Sequence, residues 1–232
     1  MKIALIGYGA MGKLIKTLAE NKNHEIVLTI DESDANLSAK ELAEKLKDAQ
    51  AAIDFSIAEA VRRNVEACVL AEVPLVEGTT GWNAERETIK KIVLEKNGAF
   101  VFGANFSIGV NLFYKIAAYA SELFSKFEDY EAFIEEQHHS RKRDAPSGTA
   151  LKLKEIVAVN IGRDFSVSST RAGNIPGTHR VGFDGNADQI LLEHTARSRE
   201  GFASGAILAA EWIVGRKGFY EFTGVMDEII RK

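Results

Sequence analysis

One glycine turn constrains this chain more than any other feature. Gly7-Tyr8-Gly9-Ala10-Met11-Gly12 satisfies the G-x-G-x-x-G pattern, directly behind a short apolar run, Lys2 to Ile6, and directly before a segment with helical apolar spacing. A strand that turns through glycines into a helix gathers unpaired backbone N–H groups and the positive end of the helix dipole at one point, where a pyrophosphate binds. Gly7, Tyr8, Gly9, Ala10, Met11 and Gly12 are therefore candidate cofactor contacts. Asp31, about twenty residues on at the end of the next apolar run, stands where a carboxylate accepts hydrogen bonds from the adenosine ribose. A turn that only packs helix on strand would not need an acid at that spacing.

The rest of the first half continues the theme. Apolar runs near 2–6, 25–30, 50–54, 74–77 and 99–102 alternate with amphipathic stretches near 11–21, 39–47, 59–71 and 84–96, the pattern of βαβ units. After Phe106 the pattern changes. A long apolar-periodic helix near 109–125 leads to an extended segment, 130–136, and a polar loop, 138–144. Strand-like segments at 165–171, 178–183 and 189–196 follow, separated by Gly, Asn and Asp turns. The tail returns to helix at 203–215 and ends in a short strand and helix. The expected fold class is α/β: a Rossmann-type doubly wound parallel sheet, residues 1–106 completed by 206–232, with an inserted α+β domain, 107–205, on a mixed sheet.

Composition removes several functions. The formal net charge of −4 opposes a polyanion, so no nucleic-acid partner is expected. Cys68 is the only cysteine, and no Cys/His group has zinc-ligand spacing, so neither a disulfide nor a metal is expected. The apolar run at the N-terminus is too short for a signal segment or a membrane span, which points to the cytoplasm and to no membrane contact.

Three polar, glycine-bearing segments fall at predicted strand ends, where open α/β sheets bind ligands: Asp54-Phe55-Ser56, Gly78-Thr79-Thr80-Gly81 and Gly103-Ala104-Asn105-Phe106-Ser107. Ser56 and Asn83 read equally as helix caps. Gly78, Thr79, Thr80, Gly103, Ala104, Asn105 and Phe106 could together wall a nicotinamide ring. The most informative stretch is Glu136-Gln137-His138-His139-Ser140-Arg141-Lys142-Arg143-Asp144-Ala145-Pro146-Ser147-Gly148-Thr149-Ala150. Histidine exchanges a proton near neutral pH and lysine offers a cation or an acid, a pairing suited to reduction coupled to protonation. Ser147 would cap a helix whose first N–H groups, at Gly148 and Thr149, point at an anion. A solvated basic loop, a zinc pair of His138 and His139, and a nucleic-acid patch are the competing readings. Adjacent residues on extended backbone point apart, which argues against the zinc pair.

These segments together resemble the dihydrodipicolinate reductase family. The resemblance runs through Gly7 to Gly12, Asp54 to Ser56, Gly78 to Gly81, Ala104 to Ser107 with Gly109 and Asn111, and above all the signature E-x-H-H-x-x-K-x-D-A-P-S-G-T-A. It implies NAD(P)H-dependent reduction of a small cyclic dicarboxylate in diaminopimelate and lysine biosynthesis, in a cleft between the two domains. It also implies His138 as general acid/base, Lys142 as second proton donor, His139, Gly148 and Thr149 as carboxylate holders, and Arg199 and Phe202 near the cofactor. The inserted domain would bind substrate and assemble subunits. The glycine loop is one residue shorter than the family's G-x-x-G-x-M-G form. Between Gly182 and His194 the chain is also shorter, so a homo-oligomer is expected, a tetramer or a dimer, with a smaller or rearranged interface. Another two-domain dehydrogenase of amino-acid metabolism and a non-catalytic dinucleotide sensor are the alternatives. NADH is the expected preference over NADPH, by roughly tenfold, because a 2′-phosphate would meet Asp31, Glu32 and Asp34 with no cation before Lys40. Lys40, Arg62 and Arg63 are the cations that could offset this.

Overall fold

A computed structural model describes residues 1–231. Its contacts divide the chain into two units, Met1–Ser107 with the segment from Glu200 onward, and Ile108–Arg199. The first unit runs β1 (Lys2–Ile6), α1 (Ala10–Asn21), β2 (Glu25–Ile30), α2 (Ala39–Leu46), β3 (Ala51–Asp54), α3 (Val61–Leu70), β4 (Leu75–Glu77), α4 (Arg86–Glu95) and β5 (Ala99–Phe102). The second runs α5 (Ile108–Phe124), β6 (Glu131–His138), α6 (Gly148–Ile161), β7 (Ser166–Arg171), β8 (Thr178–Asp184) and β9 (Gln189–Thr195). The chain then returns to the first unit with α7 (Glu200–Ile213), β10 (Gly218–Glu221) and α8 (Phe222–Ile230).

In the first unit six strands form one all-parallel sheet in the order β10-β5-β4-β3-β1-β2. Every residue of β3, β4 and β5 is buried, as expected for strands covered on both faces. Leu42, Leu46, Val61, Val65, Ile89 and Val93 seal one face, each worth about 1.5–3 kcal/mol of burial. The order reverses at β1, with β2 on one side and β3 on the other. That switch point opens a crevice beyond the strand ends. The weak helical pattern at 39–47 is a real helix, started by a reciprocal capping box between Ser38 and Glu41. Residue 206, where the return to this unit was expected, falls inside α7, a single helix from Glu200. Four alanines of α7, at 203, 206, 209 and 210, are fully buried, and a side chain at Gly205 would meet the Phe106 carbonyl.

The second unit is a mixed sheet in the order β7-β6-β8-β9, with β6 parallel to β7 and antiparallel to β8. Burial in β6 alternates with period two, so Ala132, Ile134 and Glu136 share one face. That face meets Val110, Phe113 and Ala117 of α5, Leu153 and Val157 of α6, and Val181 and Phe183 of β8. Pairing with β7 carries β6 on to His138, so this histidine ends a strand rather than opening a loop. No helix among the described residues is long and apolar enough to cross a membrane.

Candidate active site

The crevice of the first unit holds a cavity of about 510 Å³ lined by Gly7, Tyr8 and Gly9, by Asp31 and Glu32, by Phe55, Ser56 and Ile57, and by Arg63. Gly7 has φ +86°, and a Cβ there would stand 2.3 Å from the Phe55 carbonyl oxygen. A Cβ at Gly12 would strike the Gly7 carbonyl at 2.2 Å, so two glycines are needed merely to close the turn. Gly9 is different. It caps α1 without a side-chain bond, and nothing lies within 4 Å of its Cβ position, which leaves the helix start open to a ligand. The Asp31 carboxylate accepts from the Ser33 amide at 2.9 Å and the Ser33 hydroxyl at 2.7 Å, and these two bonds hold its pKa below the ordinary range.

Charge around Asp31, Glu32 and Asp34 is more balanced than their spacing in the chain implies. Asp34 is paired with Lys45 at 2.5 Å. Arg63 donates to the carbonyls of Ala35 at 2.5 Å, Asp34 at 3.3 Å and Leu37 at 3.4 Å, and to the Asn64 side chain. Arg62 instead pairs with Glu66 and Glu85.

In the second unit the centre is Glu136, 1% exposed. Arg171, from the neighbouring strand, grips both its oxygens at 2.6 and 2.9 Å, the Ser147 amide donates to it at 3.2 Å, and His138 contacts it through Nδ1. Burial alone would raise the Glu136 pKa, but Arg171, Ser169 and His138 overcome this and hold it at about 2. An ionised partner fixes the His138 tautomer: Nδ1–H donates, and Nε2 carries the lone pair. Burial outweighs that partner and lowers the His138 pKa, so the resting ring is neutral, with the Nε2 lone pair unprotonated. Gly177 lies beside this nitrogen, and a Cβ there would come within 3.1 Å of it.

Lys142 holds Asp144 at 2.8 Å, and Arg171 donates to the Asp144 carbonyl at 2.5 Å, so the loop is tied at two points. Ser147 caps α6 through Ala150 N and meets His179 Nε2 at 2.9 Å. His179 is pushed down to about 4, chiefly by burial. The Nδ1 atom of His139 is buried with no protein partner, as expected of a group that awaits a ligand. The ligand atoms of Glu136, His138 and His179 lie within 4.8 Å of one another, a spacing a cation could use. Arg171 already occupies both Glu136 oxygens and places a fixed positive charge there, so the cluster is an ion-pair network rather than a cation site.

Of the predicted residues, Gly7, Tyr8, Gly9 and Asp31 line the first unit's cavity, with Ala10, Met11 and Gly12 in the first turn of the helix behind it. Gly78 to Thr80 and Gly103 to Phe106 do not line it. A Cβ at Gly78 would collide with the Phe55 ring at 2.2 Å, and Phe106 is buried against Phe55 and Phe222. Arg199 is exposed just before α7, and Phe202 is half-buried within it. In the second unit Glu136 links His138 to the start of α6 through the Ser147 amide, Lys142 pairs with Asp144, and the Thr149 hydroxyl bonds to Tyr114. Sequence reasoning missed Glu136, Arg171 and His179 as site residues. Glu136 was findable, two positions before His138 and so on the same strand face. Arg171 and His179 come from strands paired on either side of β6, which no local pattern reveals.

Comparison with known proteins identifies the family. The model of the dihydrodipicolinate reductase N-terminus matches residues 1–106, and that of its C-terminus matches 109–226. Proteins named 4-hydroxy-tetrahydrodipicolinate reductase are similar over nearly their whole length. The one from Christiangramia forsetii is 33% identical over all of both chains. The one from Staphylococcus aureus is 38% identical over 96% of this chain and 99% of its own. Among solved structures, a dipicolinate-bound dihydrodipicolinate reductase from Paenisporosarcina sp. shares the fold with a TM-score of 0.79 at 22% identity, covering 97% of this chain and 99% of that one.

Proposed function

The chain belongs to the dihydrodipicolinate reductase family, and on that footing we propose that it reduces 4-hydroxy-tetrahydrodipicolinate to tetrahydrodipicolinate, in the cytoplasmic route to diaminopimelate and lysine. A nicotinamide dinucleotide, bound in the first unit, supplies the hydride. The open helix start at Gly9 would receive its pyrophosphate, and the Asp31 carboxylate its ribose. The observation that carries the reading is the Glu136–His138 contact, which leaves His138 Nε2 as a proton-exchanging atom within the electrostatic influence of Lys142.

Each residue then has one task. Glu136 stays ionised and stabilises the imidazolium form of His138. Hydride and one net proton replace the 4-hydroxyl, which leaves as water; His138, after taking a proton at Nε2, and Lys142 are the groups that would donate that proton. His139, with the helix start at Gly148 and Thr149, holds the carboxylates, in keeping with a dicarboxylate-bound relative of the same fold. Gly78 to Thr80, Gly103 to Phe106 and Phe202, all in the first unit, would complete its nicotinamide side.

NADH is the preferred form in this proposal. Asp31 and Glu32 border the cavity, and the guanidinium of Arg63 is already committed to three carbonyls and Asn64, so a 2′-phosphate would have to draw it away. The protein works as a homo-oligomer. The test is to follow cofactor absorbance while a coupled synthase generates the unstable substrate. Substrate-dependent oxidation of NADH is expected, and none with either cofactor would overturn the proposal.

A further inference from the structure

Asp54 and Glu77 close neighbouring parallel strands as register partners, and both are fully buried. Each accepts from the amide two residues on: Ser56 N to Asp54 at 2.8 Å, and Thr79 N to Glu77 at 2.7 Å. Ser56 N also reaches Thr79 Oγ1 at 3.0 Å, which joins the two loops. Asn64 of α3 donates to the second Asp54 oxygen at 2.7 Å. The second Glu77 oxygen has no donor, although the Asp54 carboxyl lies within hydrogen-bonding reach of Glu77. Among the described residues neither acid has a salt-bridge partner. The titratable neighbour on α3 is Cys68, also buried, and Arg63 approaches only through Asn64. The charges of α4 are on its exposed side, and α7 buries no ionisable group.

Two adjacent carboxylates without a cation cannot both stay ionised out of water. A proton on the unpartnered Glu77 oxygen turns it into a donor to Asp54. We propose that Asp54 and Glu77 are a positioning pair that shares one proton and so fixes residues 55–57, which wall the dinucleotide cavity, against residues 78–80. The proton resides on Glu77, whose pKa burial and Asp54 push well up, and Asp54 accepts from Glu77, Asn64 and Ser56. A raised acid loses its contribution as pH rises through its folded pKa, so the brace fails on the alkaline side.

The inference rests on the dinucleotide reading of this cavity, and the tests separate the two. Difference infrared spectroscopy of the whole protein, wild type against Glu77→Gln, is expected to show the carbonyl band of a buried protonated carboxyl at neutral pH, lost in the variant. Its absence from the wild type overturns the proposal even if the variant folds poorly. NADH affinity, read by fluorescence without substrate, should fall about fivefold in the wild type from neutral to alkaline pH, and less than about twofold in Glu77→Gln, whose amide donates without titrating. Parallel profiles in an NADH-binding protein overturn the pair alone. A protein that binds no NADH at any pH overturns the cavity reading, and the proposal falls with it.

Discussion

Glu77 in the first unit and Glu136 in the second are carboxyls sealed from water on interior strands, yet their surroundings drive them to opposite states. Glu77 faces another acid and no cation, and keeps a proton. Glu136 is gripped by Arg171 and His138 and stays charged down to about pH 2. Under the proposed function the difference follows the work of each unit. A wall for an anionic cofactor gains from being rigid and neutral. A proton-transfer site gains from a fixed negative charge beside the histidine that must become positive.

The comparison breaks most visibly at the histidine. His138→Gln and Lys142→Ala should each lower kcat about 10²–10⁴-fold with NADH affinity nearly constant. Near wild-type turnover in either would remove the reason for a charged Glu136. Next in size is the ion pair itself: Arg171→Ala strands a buried carboxylate and should cost about 3–5 kcal/mol in chemical denaturation. A loss below about 1 kcal/mol would mean that water already reaches Glu136.

Opposite pH tails sharpen the contrast. The pKa of His179 is lowered from 6.5 to about 4, so its contribution is complete above pH 6.5 and is lost as pH falls through that window, about 3 kcal/mol at most. Glu136, also lowered, loses its share from about 4.5 down to about 2. The second unit should therefore be the acid-labile one, and the first should weaken on the alkaline side. Trp82 and Trp212 both lie in the first unit, so tryptophan fluorescence follows that unit alone. Far-ultraviolet circular dichroism that falls in mild acid before tryptophan emission moves is the expected order, and the reverse would refute it.

Cofactor choice is the smallest effect. NADH should lead NADPH by roughly tenfold in kcat/KM, the scale of like charges a few ångströms apart in a solvated cleft. Glu32→Lys should erase that lead, whereas an NADPH preference in the wild type would show that Arg63 is free to turn to the phosphate.

Strands and helices of the first unit were legible because burial on both faces writes continuous apolar runs, and the Gly7 turn and Asp31 mark their own ends. The histidine–lysine loop was legible for a similar reason, being contiguous in the chain. Arg171 and His179 were not, since register across β6 places them, and register depends on distant residues. Glu77 went unread although the signal was present: an acid between Val76 and Gly78 in a run otherwise fit for a fully covered strand is an anomaly that calls for a partner, and Asp54 stood at the same level of the next strand. Of the charges that offset the acids near Asp31, Arg63 was anticipated among the nearby cations, whereas Lys45, which reaches Asp34 from the following helix, was not.

The placement of β10 at the edge of the first sheet, beyond β5, sets an order of assembly during synthesis. The second unit has all its strands once residue 199 has left the ribosome, while the first still lacks α7, β10 and α8. Until then the buried faces of β3, β4 and β5 have no alanine-rich helix against them, and β5 presents a bare hydrogen-bonding edge. The unit that begins first is finished last, so the nascent chain carries its exposed sheet through the whole time the inserted unit takes to be made.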